Sequence, residues 1–348
     1  MPDPSAGPPP LAGLEATLNA ATRRQVGELA RRWRRSEGSR RLLERDATLW
    51  TGGDEARWLG WLEPGAGFER ALRRRWAETV AAASWRSVVL LGMGGSSLGA
   101  QLLAAAAAGV AGPELVVLDT TDPDEIVACS RGLDPAVTLF VVASKSGTTV
   151  ETVSLESFFW AWAAERVGEA ERGRAFLAVT DPGTELEARA RARGYHLLIG
   201  SPEVGGRFSA LTPFGLAVAA VLGVDVEAVL AGGRAERSRF TPDAGTAESP
   251  AVALGVVLAA LAADGRAKMM VTSPAAAPSL GDWLEQLLAE STGKAGRGIL
   301  PVPRGAGCAA AAADAVAVAW GSPADSGPDA PPSLTLEWPV ATRHDGGQ

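Results

Sequence analysis

Cysteine is almost absent from these 348 residues: there are two, Cys129 and Cys308, far apart. A secreted disulfide scaffold needs more of them, and a zinc site needs closely spaced pairs. Both therefore read as small apolar residues in a reducing cytoplasm. Surplus positive charge is missing too. With 33 Lys and Arg against 40 Asp and Glu, a net charge of −7 and a pI near 5.1, the chain lacks the balance that neutralises nucleic-acid phosphates. Nucleic acid is set aside as a partner. The longest apolar run, near Ala251–Ala263, falls short of the roughly 20 residues that span a bilayer. The opening MPDPSAGPPP has neither the basic start nor the apolar stretch of a signal peptide. The expectation is a cytoplasmic protein with no membrane partner.

Apolar residues make up 47 % of the chain, enough for a large core, although much of that share is alanine and glycine. Residues 1–13 are proline-rich and expected to be disordered. Residues 14–62 form an N-terminal helical segment. Within 14–45, leucines at helical spacing are interleaved with Arg23, Arg24, Arg31, Arg32, Arg34 and Arg35. These arginines read as the solvated face of an amphipathic helix rather than as a site for an anionic partner.

From Ser87 the pattern changes to short apolar runs separated by alanine-rich helical stretches. Strands are predicted at Ser87–Leu91, Leu115–Leu118, Val137–Ala143, Ala175–Thr180 and Tyr195–Ile199. Runs that are apolar throughout, without alternation, belong to strands covered on both faces in a parallel sheet. Strand and helix repeated in this way give a doubly wound α/β subdomain over 63–224. A second, shorter α/β series over 225–348 has Lys268–Thr272 as a strand, Trp283–Thr292 as a helix and a last strand at Ser333–Trp338.

Three loops and one helix carry residue types suited to chemistry. Gly92-Met93-Gly94-Gly95-Ser96-Ser97-Leu98-Gly99 follows a strand directly. Alone it admits three readings: a sugar-phosphate loop, a bare turn, or an imperfect dinucleotide fingerprint with Asp119 as ribose ligand. Ser144-Lys145-Ser146-Gly147-Thr148-Thr149 gathers four hydroxyls and an ammonium, which suits a phosphate monoester; Thr148 and Glu151 have capping-box spacing. Gly205-Gly206-Arg207-Phe208-Ser209 presents a guanidinium, with Thr212 and Pro213 as N-cap and first residue of the next helix. In the segment Gly281–Lys294, Asp282 and Glu285 have capping-box spacing, Gly293 terminates, and Trp283, Leu284, Leu287 and Leu288 form the apolar stripe. Gln286 and Glu290 share one face. A glutamate in a last helical turn opposes the macrodipole and is a functional candidate.

Taken in order, LLGMGGSSLG, ASKSGTTVET, GGRFSALTPFGL and WLEQLLAESTGKAGRGILPV resemble the signature segments of glucose-6-phosphate isomerases. RDATLWTGGDEARWLGWL resembles the isomerase half of bifunctional transaldolase/glucose-6-phosphate isomerases. The resemblance covers about residues 45–303. It implies two sugar isomerase (SIS) subdomains, each a mainly parallel sheet flanked by helices, the second abbreviated. It implies interconversion of glucose 6-phosphate and fructose 6-phosphate through an enediol, with Glu290 as base and Arg207 stabilising the enediolate. Ser144, Ser146, Thr148 and Thr149 would hold the phosphate, with Lys145 beside them and Gly95 and Ser96 completing the cradle, and Gln286 would contact the sugar. No cofactor and no metal is implied. A homodimer is the macromolecular partner the resemblance implies, and a separate transaldolase is the partner expected of a non-catalytic form.

The sequence departs from the family after Lys294. Family members are longer there and carry a lysine and a histidine for ring opening. Here no lysine follows Lys294, and the only histidines are His196, in a predicted strand, and His344. Residues 304–332, mostly alanine, glycine and proline, stand where the family has ordered structure. Two other readings follow: a non-catalytic sugar-phosphate-binding SIS protein, and, with less support, a nicotinamide-dependent oxidoreductase.

Overall fold

The computed structural model describes residues 11–12, 14–16, 18–68, 85–107, 112–303, 314–320 and 333–336. The chain divides into two units, one formed by Trp50–Arg237 and the other by Met1–Leu49 together with Ser238–Gln348.

In the unit Trp50–Arg237 the predicted apolar runs become strands β2 (Ser87–Gly92), β3 (Glu114–Leu118), β4 (Thr138–Ala143), β5 (Phe176–Thr180) and β6 (His196–Ile199). All pair in parallel, in the order β3-β2-β4-β5-β6. Their unbroken hydrophobicity has the expected cause, since both faces are covered. Val88, Leu90, Leu139, Val141, Leu177 and Val179 pack under α8 (Pro213–Val221). Val89, Leu91, Phe140, Val142, Phe176 and Ala178 pack under α5 (Val150–Ala164) and α7 (Glu185–Arg193). On that second face Phe140 stacks on Phe176, and Phe176 on Tyr195, while Phe159 packs tilted against Phe140, each at 4.9 Å between ring centres. The crossovers also include α3 (Leu98–Ala104), α4 (Pro123–Arg131) and α6 (Glu169–Arg174). Caps set several starts: Asp122 accepts from the Asp124 amide, Thr184 from Glu187, and Thr212 from Phe214, with Pro213 at the first helical position as expected.

The other unit holds a second five-stranded sheet, in the order β1-β10-β9-β7-β8. Its strands are β1 (Leu14–Ala16), β7 (Lys268–Thr272), β8 (Leu300–Pro303), β9 (Ala315–Trp320) and β10 (Ser333–Leu336). β7, β8, β9 and β10 pair in parallel, and β1 closes the edge antiparallel to β10. The core is Met269, Val271, Val316 and Val318 packed with Val26 of α1 (Ala20–Arg35), with Val257 and Leu261 of α10 (Pro250–Ala263) and with Leu284 of α11 (Leu280–Thr292). A short α2 (Gly38–Leu43) follows α1, and α9 (Val226–Arg239) runs from one unit into the next.

This unit corrects four expectations. Residues 14–16, read as helix, form a strand, because their partner β10 lies more than 300 positions away and no local pattern announces it. The boundaries 14–62, 63–224 and 225–348 give way to a unit assembled from both ends of the chain. The second sheet has five strands among the described residues, as the first has, since β8 and β9 join the two strands that the sequence announces and β1 is added at the edge. Finally, the low-complexity stretch 304–332 contains β9, the neighbour of both β7 and β10. The arginines of α1 are solvent-exposed, as expected. Among the described residues no helix is long and apolar enough to cross a membrane. Most of the expected disordered stretch 1–13, together with Cys308 and His344, lies outside the described residues.

Candidate functional site

β3 lies on one side of β2 and β4 on the other, so the strand order reverses between them. In open parallel sheets ligands bind beyond the carboxyl ends of the strands at such a switch point. The loops that leave the two flanking strands are Gly92–Gly99 and Ser144–Thr149, two of the three singled out from sequence.

The third loop meets them there. A Cβ on Gly95 would collide with the Gly206 backbone and lie 2.6 Å from the Arg207 nitrogen, and one on Gly99 would lie 2.9 Å from Ala210 Cα. Only glycine lets these backbones touch. Ser209 Oγ donates to the carbonyl of Gly95 at 3.2 Å. Lys145 Cδ stands 3.9 Å from where a Gly206 Cβ would be, which brings the second loop against the third. Gly205 has an ordinary φ of −64°. The close approach of Gly95, and no special turn, explains the small residues here.

In the second loop the hydroxyls form two pairs. Ser144 Oγ accepts from the Gly147 amide at 3.1 Å and lies 3.1 Å from Thr149 Oγ1. Ser146 Oγ accepts from the Thr148 amide at 3.2 Å and from Thr148 Oγ1 at 3.0 Å. The expected Thr148–Glu151 capping box does not form. Helix α5 starts at Val150 after Thr149, and the Thr148 hydroxyl is engaged within the loop. Lys145 behaves differently from the hydroxyls it was grouped with. Its ammonium lies 2.7 Å from Asp181 Oδ2, donates to the Ser201 carbonyl at 3.0 Å and stands 5.5 Å from the Phe214 ring centre. It joins the carboxyl ends of β4, β5 and β6.

Asp181 was missed in the sequence. The available signal was its position directly after a strand, the same place that Ser144 holds after β4. Arg207 sits half-buried in a 3₁₀ turn, Gly206–Leu211, with its guanidinium carbon 5.2 Å from the Phe208 ring centre. Phe208 stacks on Trp61 at 5.6 Å, and the Gly60 amide donates to the Glu203 carbonyl at 3.0 Å. The segment around Trp61 thus braces the arginine loop, a long-range contact with no local signature.

Gln286 and Glu290 belong to the other unit, on α11. The helix begins at Leu280, ahead of the Asp282–Glu285 box expected to start it, and the Gly281 amide donates to Ser273 Oγ at 3.0 Å. Trp283, Leu284, Leu287 and Leu288 pack into the core as the stripe predicted. Gln286 Oε1 is buried without a hydrogen-bond partner among the described residues. Glu290 is exposed in the last turn, where Lys294 Nζ donates to its backbone carbonyl at 3.3 Å and places a cation at the carbonyl end of the helix. Gly293 ends the helix as expected, because a Cβ there would strike the Ala289 carbonyl.

His196 opens β6, at the end of the strand opposite the loops, and burial lowers its pKa. Burial likewise raises the thiol of Cys129 and pushes the Tyr195 hydroxyl above its usual range. Among the described residues no group of three or more His, Cys, Asp or Glu side chains is placed to hold a metal ion.

A family model described as Phosphoglucose isomerase matches residues 68–330. Glucose-6-phosphate isomerase of Thermus thermophilus is 38 % identical over 201 residues, 57 % of this chain and 46 % of that protein. The glucose-6-phosphate isomerase of Symbiobacterium thermophilum is 32 % identical over 265 residues, 72 % of this chain and 59 % of that protein. The chain spans about half the length of the curated relatives it matches. Among solved structures, a hypothetical protein of Thermus thermophilus has a TM-score of 0.73 at 28 % identity, covering 88 % of this chain and 75 % of that one. A glucose-6-phosphate isomerase of Chlamydia trachomatis has a TM-score of 0.62 at 23 % identity, over 82 % and 58 %, a likeness of fold.

Proposed function

The chain belongs to the phosphoglucose isomerase family, and we propose that it interconverts glucose 6-phosphate and fructose 6-phosphate, as a cytoplasmic enzyme of glycolysis and gluconeogenesis. The observation that carries this reading is the convergence of three strand-end loops, Gly92–Gly99, Ser144–Thr149 and Gly205–Ser209, at the switch point of a parallel sheet.

Gly95, Ser96, Ser144, Ser146, Thr148 and Thr149 hold the phosphate through amides and hydroxyls, whose neutral donors suit a dianion inside an acidic protein. Lys145 contributes charge from its place against Asp181. Gln286, whose carbonyl oxygen has no partner among the described residues, takes a sugar hydroxyl. In the aldose-to-ketose direction the Glu290 carboxylate removes the proton from C2. The electron pair forms the C1–C2 double bond of the enediolate, with negative charge on O1 that Arg207 stabilises. The carboxylic acid then returns its proton to C1, while the O2 proton passes to O1 and leaves a ketone at C2. No cofactor is needed, because the carbon skeleton is oxidised at C2 as it is reduced at C1. A homodimer and a separate transaldolase are the partners proposed.

The test is fructose 6-phosphate conversion in a coupled assay. The parent chain turns over, and Glu290→Gln lowers kcat by at least about 10²-fold, the contribution of a positioned base, while inorganic phosphate still raises the melting temperature of the variant. Equal turnover by variant and parent removes Glu290 from its role. A parent that binds phosphate and does not isomerise leaves a sugar-phosphate-binding protein instead.

A further inference from the structure

Helix α7 lies directly behind the hydroxyl-bearing turn, and one of its side chains reaches that turn. Gly147 has a φ of +70°, and a Cβ on it would lie 2.9 Å from the Leu186 nitrogen and 3.0 Å from Thr184 Cβ. One helical turn on, the guanidinium of Arg189 serves two partners. Its Nε and Nη2 donate to Glu156 Oε2 at 3.2 and 3.0 Å, and Nη2 also donates to the Gly147 carbonyl at 3.4 Å. Glu185 Oε2 stands 3.7 Å from Nη1.

Glu156, on α5, is 1 % exposed. Its other oxygen accepts from Arg193 Nη1 at 3.0 Å and from the Tyr195 hydroxyl at 3.2 Å. A carboxylate withdrawn from water is costly unless its oxygens are fully matched, and this set of donors matches both. The consequence for Arg189 is a guanidinium held in one orientation.

We propose that Arg189 is a positioning residue for the phosphate-binding turn, fixed by buried Glu156 and acting through the carbonyl of Gly147. In a trans peptide the C=O and the next N–H point in opposite directions. Holding the Gly147 carbonyl toward α7 therefore aims the Thr148 amide the other way, where it donates to Ser146 Oγ. The fixed Gly147–Thr148 peptide therefore orders the Ser146–Thr148 pair, and the adjoining peptide presents the Gly147 amide to Ser144 Oγ. The inference rests on the reading of this turn as the phosphate site.

Two probes test it: fructose 6-phosphate in the coupled assay and inorganic phosphate as inhibitor and as stabiliser. Arg189→Met raises KM and the phosphate inhibition constant by about 3- to 12-fold, the size expected for losing one hydrogen bond of ordinary net strength. It leaves kcat within about threefold. Arg189→Lys, which keeps a cation and a donor, recovers part of the loss. Since Arg189→Met leaves Glu156 with fewer donors and can unfold the unit, the double variant Arg189→Met with Glu156→Gln repeats the measurement without the buried charge. A lowered melting temperature with KM and phosphate inhibition unchanged in both variants overturns the proposal and makes the cluster a brace for the fold. A parent chain whose melting temperature phosphate raises, and which does not isomerise, overturns the isomerase and leaves the positioning role readable from phosphate stabilisation. A parent that does neither overturns both.

Discussion

At the scale of single residues, placement in the fold decides what a titratable group does. His196 is half-buried at the start of β6, and desolvation lowers its pKa from 6.5 more than the neighbouring Arg174 carbonyl raises it. The unfolded chain then binds more protons than the folded one just below the ordinary histidine range. The contribution to stability is present above about pH 6.5 and is lost as pH falls through the folded-state value. Urea midpoints measured from about pH 7.5 down to pH 5 will fall, and His196→Gln will lose that part of the slope. Identical slopes in both proteins would show that the imidazole is not responsible. Glu156 shows the same principle in reverse: a charged residue on a helix is 1 % exposed because two arginines of α7 and Tyr195, just before β6, converge on it.

Among elements, α8 shows how packing overrides amphipathicity. Every residue from Pro213 to Val221 except Ala220 is buried. A helix that is apolar all round belongs inside a protein, and this one lies between the sheet face and Phe68 and Leu230. It also carries the arginine loop at its N-terminus and Phe214 beneath Lys145. Leu216→Ala, at a site with 0 % exposure, will cost about 2–5 kcal/mol in urea unfolding, through lost transfer energy plus a cavity. Val150→Ala, 74 % exposed at the start of α5, will change stability by less than about 0.5 kcal/mol. Comparable losses at both positions would refute the burial argument.

For the molecule as a whole, the inner strands of each sheet are hydrogen-bonded along both edges. Amide hydrogen exchange will be slowest in β2, β4 and β5 of one unit and in β7 and β9 of the other, and faster in the edge strands β3, β6, β8 and β1. Protection follows burial and hydrogen bonding on both strand edges. Edge strands as protected as the central ones would contradict this order.

Seven strands were legible because their signal is local, an apolar run of the right length between helix or turn signals. β2 through β7 stand within a residue or so of the positions read from the chain, and β10 begins at Ser333 as read. The three loops of the site were legible for the same reason, since glycine, hydroxyl and arginine at strand ends are features of adjacent residues. Their meeting point was not. The contact of Gly95 with Gly206 and Arg207, the pairing of Lys145 with Asp181, and the reach of Arg189 to Gly147 join residues 36 to over 100 positions apart, or two helices in different crossovers. Strand β1 and the alanine-rich β9 likewise carry no strong propensity of their own and exist through their partners. Periodicity and residue type specify what a segment can bury. Which segments bury it together depends on non-local backbone pairing and packing, and that is set only when the chain folds.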